Sequence, residues 1–146
     1  MDNLPSCEFD SDKLLLRAEI GFAADSGEIP AVVDRIMRTV MEMNCAEGKE
    51  FEIEIALREA LVNAVVHGCK SDSSKKVVCC VTCDESRGIL LIVQDPGPGF
   101  DPHSLPDPLI GENLFATHGR GIYLINQLMD EVTFKRGGTE IHMRKK

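Results

Sequence analysis

The chain has 146 residues, 43% hydrophobic and 27% charged, which suits a soluble globular domain with one core and argues against a disordered chain. Its formal net charge of -8 and pI near 5.0 argue against direct binding of nucleic acid or anionic lipid, which needs clustered Lys and Arg; the basic residues are scattered apart from Arg144, Lys145 and Lys146. No apolar run approaches the ~20 residues that cross a bilayer, and the acidic opening MDNLPSCEFDSDK has no apolar signal core, so a cytoplasmic protein without membrane attachment is expected.

In chain order, LLLRAEI (14–20) reads as an opening strand, and GFAADSGEI as a turn into a helix. That helix runs from about Pro30 to Asn44, with the proline in the first turn, where a missing N–H costs nothing. Val33, Ile36, Met37, Val40 and Met41 recur at helical spacing and form a core-facing stripe. Its Met-rich edge also suits adaptable partner contacts. After the loop CAEGKE, a second helix spans about Phe51 to His67.

Two strands follow, about Lys76 to Cys83 and Ile89 to Gln94, joined by DESRG as a hairpin. The next stretch, PGPGFDPHSLPDPLIGENLFATHGRG, is rich in Pro and Gly and lacks periodicity, as expected of a functional lid. A helix from about Ile122 to Met129 leads into EVTFKR and TEIHMRK, two alternating strands around Gly137 and Gly138. No repeat or interdomain linker interrupts this order, so residues 1–146 read as one domain.

Cys80 and Cys83 match a CxxC pattern, but KKVVCCVTCD reads as a strand, where residues three apart point to opposite faces. Cys79 and Cys83 share a face, yet four residues of strand separate them by ~13 Å, too far for one disulfide or zinc ion. The cysteines are therefore expected to be small, reduced, buried apolar residues.

The second helix carries an unusual pattern, EALVNAVVHG (59–68). At ~100° per residue, with Glu52 at zero, Glu59 falls at ~340°, Asn63 at ~20° and His67 at ~60°. Three polar groups thus share a sector about 80° wide, bordered by Ile55, Val62 and Val66 on one side and Ile53, Ala60 and Ala64 on the other. Polar groups among apolar neighbours need partners, since an unsatisfied one costs ~1–3 kcal/mol. The trio could satisfy one another and the backbone, or a ligand could supply the partners. An Asn carbonyl oxygen suits Mg²⁺, and a Glu one turn away could accept a proton from an attacking hydroxyl or water.

Asp95 closes the apolar strand ILLIVQ and opens DPGPG, whose glycines allow close approach of a flat ligand; a carboxylate there suits the exocyclic amine of adenine. HGRG (118–121) stands immediately before the helix YLINQLMD, where free N–H groups and the helix dipole favour phosphate. Neither GxxxxGK[ST] nor a complete GxGxxG is present, so a nucleotide reading rests on the three motifs together.

In that order, ExxxNxxxHG, DPGPG and HGRG resemble the GHKL ATPase superfamily, and within it the small anti-sigma factor serine/threonine kinases of bacterial partner-switching systems. The likeness runs from about Leu14 to Lys145. It implies the Bergerat ATP-binding fold: an α/β two-layer sandwich, with a mixed, largely antiparallel sheet carrying helices on one face. By the same resemblance Glu59 is the catalytic base, Asn63 the Mg²⁺ ligand and Asp95 the adenine-binding residue, with Gly97 and Gly99 its turn glycines. Gly119 and Gly121 match the G2 box; His67, Thr117, His118 and Arg120 complete the expected nucleotide site. His118 departs from the small residue that many relatives carry there.

The activity implied is transfer of the γ-phosphate of Mg-ATP to Ser or Thr of an anti-sigma factor antagonist, alternating with sequestration of a sigma factor, in a homodimer. A protein-binding switch that uses ATP without phosphotransfer is the alternative, and Glu59 favours the kinase, because a pure binder needs no base there. No helix bearing a phosphoacceptor His is read ahead of the second helix, which disfavours a detached histidine-kinase catalytic domain.

Overall fold

Among the described residues the alternating and apolar segments build five strands, and three segments are α-helical. The structure, a computed structural model, describes residues 14–42, 44, 46–84, 88–97 and 117–146. In chain order it runs β1 (Leu14–Ala23), α1 (Ile29–Glu42), α2 (Glu50–Val62), a π-helix (Asn63–Gly68), β2 (Lys76–Asp84), β3 (Gly88–Gln94), α3 (Thr117–Leu128), β4 (Glu131–Lys135) and β5 (Glu140–Lys145). Residues 98–116, which hold most of the expected lid together with Gly99, lie outside the described residues.

The strands form one sheet in the order β1-β2-β3-β5-β4, and every described pairing is antiparallel. Register aligns Ile20 with Cys79, Cys79 with Val93, Val93 with Ile141, and Ile141 with Phe134. This row crosses all five strands on one face, and it joins the helices in the main core. The sandwich is therefore α/β with its helices on one side of the sheet, as the resemblance implied, and no parallel pair occurs among the described strands.

Helix α1 turns Ile29, Val32, Val33, Ile36, Met37 and Val40 inward. Helix α2 lies between α1 and α3 and buries Ile53, Ala56, Leu57, Ala60 and Leu61. Truncating either buried leucine to Ala removes contacts worth ~2–5 kcal/mol. Strand β3 is buried on both faces, which explains its unbroken apolar run. The second face of the sheet holds Cys80, Leu90 and Ile92, together with a buried pair in which His142 Nε2 lies 2.5 Å from Glu140 Oε1. Alternation in TEIHMRK therefore separates two buried faces, not a core face from a wet one. Among the described residues no helix is long and apolar enough to cross a membrane.

Three expectations are corrected. Met41, expected in the core-facing stripe of α1, is exposed. Helix α3 begins at Thr117, five residues before Ile122, so HGRG is its opening and not a loop before it. Gly119 and Gly121 oppose helix formation on propensity alone, and tertiary packing outweighs that preference. The thiols of Cys69, Cys79 and Cys80 are free and buried, with burial raising that of Cys79 well above its ordinary value. Cys83, in contrast, is disulfide-bonded. Strand geometry rules out pairing within β2 only.

Candidate functional site

The polar stripe of α2 does not continue with α-helical stepping. From Asn63 to Gly68 the helix is π, and it ends with the Cys69 N–H donating to the Ala64 carbonyl at 2.9 Å. A π-helix takes nearly one extra residue per turn, so each residue rotates by ~80–85° in place of ~100°. Four residues then advance by ~330°, and His67 returns to ~350° instead of ~60°. Glu59, Asn63 and His67 consequently share a sector narrower than α-helical spacing implies. The helix stops where Lys70 (φ 53°) and Ser71 (φ 58°) enter the left-handed region, each costing about 1 kcal/mol or more, while the Ser71 N–H donates to the Val65 carbonyl at 2.8 Å.

Across from this helix end stands Asp95, just past the end of β3. Its backbone N–H donates to the Thr139 carbonyl at 2.9 Å, which ties the residue to the start of β5. Its Oδ1 accepts from the Gly97 N–H at 2.7 Å, closing a tight Asx turn. Burial raises the Asp95 pKa above the usual carboxylate range, opposed by the Gly97 hydrogen bond and the charge of Lys75. His67 is pushed the other way, since burial lowers its pKa and favours the neutral imidazole. The end of the π-helix and the turn after β3 pack closely: a Cβ on Gly97 would fall inside the contact distance of the Gly68 carbonyl oxygen.

Between the two elements lies a cavity of about 220 Å³. Its polar groups come from Asn63, His67, Asp95 and Thr139; Ala60, Ala64, Val93, Ile122, Phe134 and Ile141 form apolar walls. Ala60 on α2 and Ala64 on the π-helix sit about one turn apart and keep the slot open beside the sheet. This volume is below the ~300–1,000 Å³ of sites that enclose a whole drug-sized ligand, so it fits one flat heterocycle with the rest of a ligand extending outward. Glu59 lies beside the cavity and does not line it. A Cβ on Gly121 would stand 3.3 Å from the Asn63 amide nitrogen and 3.5 Å from Glu59 Oε1, so α3 meets α2 directly over these two side chains.

The sequence-predicted residues therefore divide by position. Asn63, His67 and Asp95 open into one cavity, Gly97 braces Asp95, and Glu59 and Gly121 adjoin Asn63. Thr117, His118, Gly119 and Arg120 form the first turn of α3, whose N–H groups have no intrahelical acceptors and carry the positive end of the helix dipole. Besides the apolar wall, three further cavity residues escaped the sequence reading as site residues: Gly68, Gly138 and Thr139. Gly68 was visible only as the last letter of EALVNAVVHG, and the Gly-Gly-Thr stretch only as a hairpin signal.

An antiparallel sheet under helices, with a carboxylate at a strand end facing a polar helix stripe, defines a nucleotide-binding domain of the GHKL type. The chain belongs to the family of histidine kinase-like ATPase domains, which it matches over residues 22–145. Similar proteins include the serine-protein kinase RsbW of Staphylococcus epidermidis, 35% identical over 100 residues, covering 63% of this chain and 62% of the relative. RsbW of Staphylococcus aureus (strain JH9) is 32% identical over 102 residues, 64% of each chain. The anti-sigma F factor of Priestia megaterium is 29% identical over 99 residues, 64% of this chain and 67% of the relative. The chain thus spans less than two thirds of the length of the RsbW relatives it matches.

Proposed function

We propose that this protein is an ATP-binding serine/threonine kinase that acts as an anti-sigma factor and phosphorylates an anti-sigma factor antagonist with Mg-ATP. One observation carries the reading: Asp95 from a strand end and Asn63 from the π-helix open into one slot, with Glu59 one turn away beneath α3. The names of the relatives support the same class of activity.

The donor set fits the nucleotide and its metal. Asp95 accepts from the exocyclic amine of adenine, with Oδ1 already fixed by the Gly97 N–H and Oδ2 left for the base. Neutral His67 lines the slot as a hydrogen-bonding group without adding charge. Among the described residues no cluster of three His, Cys, Asp or Glu could hold a metal ion. The Asn63 amide oxygen would therefore hold Mg²⁺ jointly with phosphate oxygens and water, and the cation, when bound, would offset phosphate charge. The N–H groups of Thr117 to Arg120 offer anion donors at the opening of α3.

Glu59 takes the proton of the attacking Ser or Thr hydroxyl. The hydroxyl oxygen bonds to the γ-phosphorus as the bond to the ADP oxygen breaks, leaving phosphoprotein and ADP. Sequestration of a sigma factor, a homodimer and a cytoplasmic location complete the proposal. Incubation with γ-labelled ATP and antagonist-type proteins from the same genome tests it. Label on a Ser or Thr of one such protein is the expected result; tight ATP binding without transfer to any of them would replace the kinase with the non-catalytic binding switch.

A further inference from the structure

A glycine is required either where the backbone turns left-handed or where a side chain has no room. Gly68 does not belong to the first kind, because it is absent from the positive-φ residues and closes a helix that any L-residue could continue. What it supplies is space. A Cβ built there would stand 2.5 Å from Asp95 Cγ and 2.6 Å from each carboxylate oxygen, pressed onto the face of the carboxylate.

We propose that Gly68 sets the base preference of the cleft by leaving the room in which the Asp95 carboxylate lies. It is a positioning residue, acting through Asp95, and the inference rests on reading the cleft as an adenine-nucleotide site. The collision partner decides what a substitution does. A carboxylate is the movable end of a side chain, whereas the Asp95 backbone is tied to the Thr139 carbonyl at 2.9 Å. Because Cγ itself stands 2.5 Å from the added methyl, turning the carboxylate about Cβ–Cγ does not clear it; the methyl swings the whole carboxylate about Cα–Cβ and leaves the strand end in place. Rotation breaks the 2.7 Å bond from the Gly97 N–H and turns the acceptor oxygens off the base edge. Gly97 shows the opposite case, because its Cβ would strike the backbone oxygen of Gly68 itself.

The recognition at stake is chemical. An acceptor-only carboxylate rewards a base bearing an amine at that edge and penalises one that bears a carbonyl or nothing. Gly68→Ala should erase that preference while sparing the contacts of sugar and phosphates.

Calorimetry with the full chain, wild type and Gly68→Ala, compares ATP with purine riboside 5′-triphosphate, which differs only by the missing amine. Wild type is expected to prefer ATP by at least about tenfold, the weight of one hydrogen bond to a charged group. In Gly68→Ala the preference should shrink to less than about threefold, with affinity for the amine-free analogue nearly unchanged. Parallel loss for both ligands, with the preference kept, would mark Gly68 as merely structural and overturn the inference alone. A wild type that does not distinguish the two ligands would overturn the adenine reading as well. The double variant Gly68→Ala/Asp95→Ala guards against misfolding: with the carboxylate gone it must fold and bind both ligands as Asp95→Ala does, and failure to do so overturns the proposal.

Discussion

At one end of the cleft, Asp95 is held by a backbone N–H from Gly97, a backbone carbonyl from Thr139 and the bare backbone of Gly68. At the other end, Glu59 from α2 and Asn63 from the start of the π-helix project as half-buried side chains beneath Gly121. The first end is made of main chain in close contact, where added volume strikes either the Gly68 carbonyl or the Asp95 carboxylate. The second end consists of side-chain groups, and on the proposed reading these carry the function and can be exchanged without disturbing the backbone. Changes at the strand end should accordingly alter affinity, base preference and stability, and changes at the helix end should alter rate.

The largest effect is expected for Asn63→Ala. Alanine is the better helix former, so the helix should persist, while Mg²⁺-dependent phosphotransfer falls to background. Circular dichroism and transfer assays at graded Mg²⁺ check both halves; wild-type Mg²⁺-dependent activity would remove Asn63 as the ligand. Glu59→Gln keeps size and hydrogen bonding but not basicity, so transfer should drop by ~10²–10⁴-fold with ATP affinity little changed. Undiminished transfer would reject Glu59 as the base.

Gly97→Ala carries the contrast to the strand end. Its methyl strikes the Gly68 carbonyl, and forcing such an overlap costs ~1–3 kcal/mol. Urea unfolding should show that loss in Gly97→Ala and a clearly smaller one in Gly68→Ala, where only a carboxylate must move. Equal stabilities would contradict the division between a backbone and a side-chain collision.

The smallest effect is a pH dependence. Burial raises Asp95, so the folded chain holds this proton more tightly than the unfolded chain, whose Asp titrates near ~3.9. The ligand-free protein should gain stability from this group as pH falls through the raised value toward the unfolded one, and lose it as pH rises. ATP binding should run the other way, since only the ionised carboxylate accepts from both oxygens. Subtracting the Asp95→Asn stability curve from that of wild type isolates the group, and a flat difference would show that Asp95 is not the buried acid described.

Much of the architecture was legible in the sequence because its signals are local. Val33 to Met41 declares a helix by spacing, ILLIVQ a buried strand by its unbroken apolar run, and Asp95 stands out as a charge at the end of that strand. The π-helix was not legible, since NAVVHG is compatible with either hydrogen-bond pattern and the choice falls to the turn at Lys70 and Ser71. The early start of α3 was hidden by glycines that oppose helix locally. Gly68 and Thr139 were missed for a different reason: each matters through Asp95, from a distant part of the chain, and no fixed spacing announces such a contact.

The central claim is that the slot between the π-helix and the end of β3 binds the base of ATP through Asp95. Calorimetric titration of Mg-ATP into wild type and folded Asp95→Asn tests it most directly. Loss of a hydrogen bond to a charged group, worth ~1.5–3 kcal/mol, predicts at least a tenfold weaker affinity in the mutant. Equal affinities in the two folded proteins would place the base elsewhere and contradict the account.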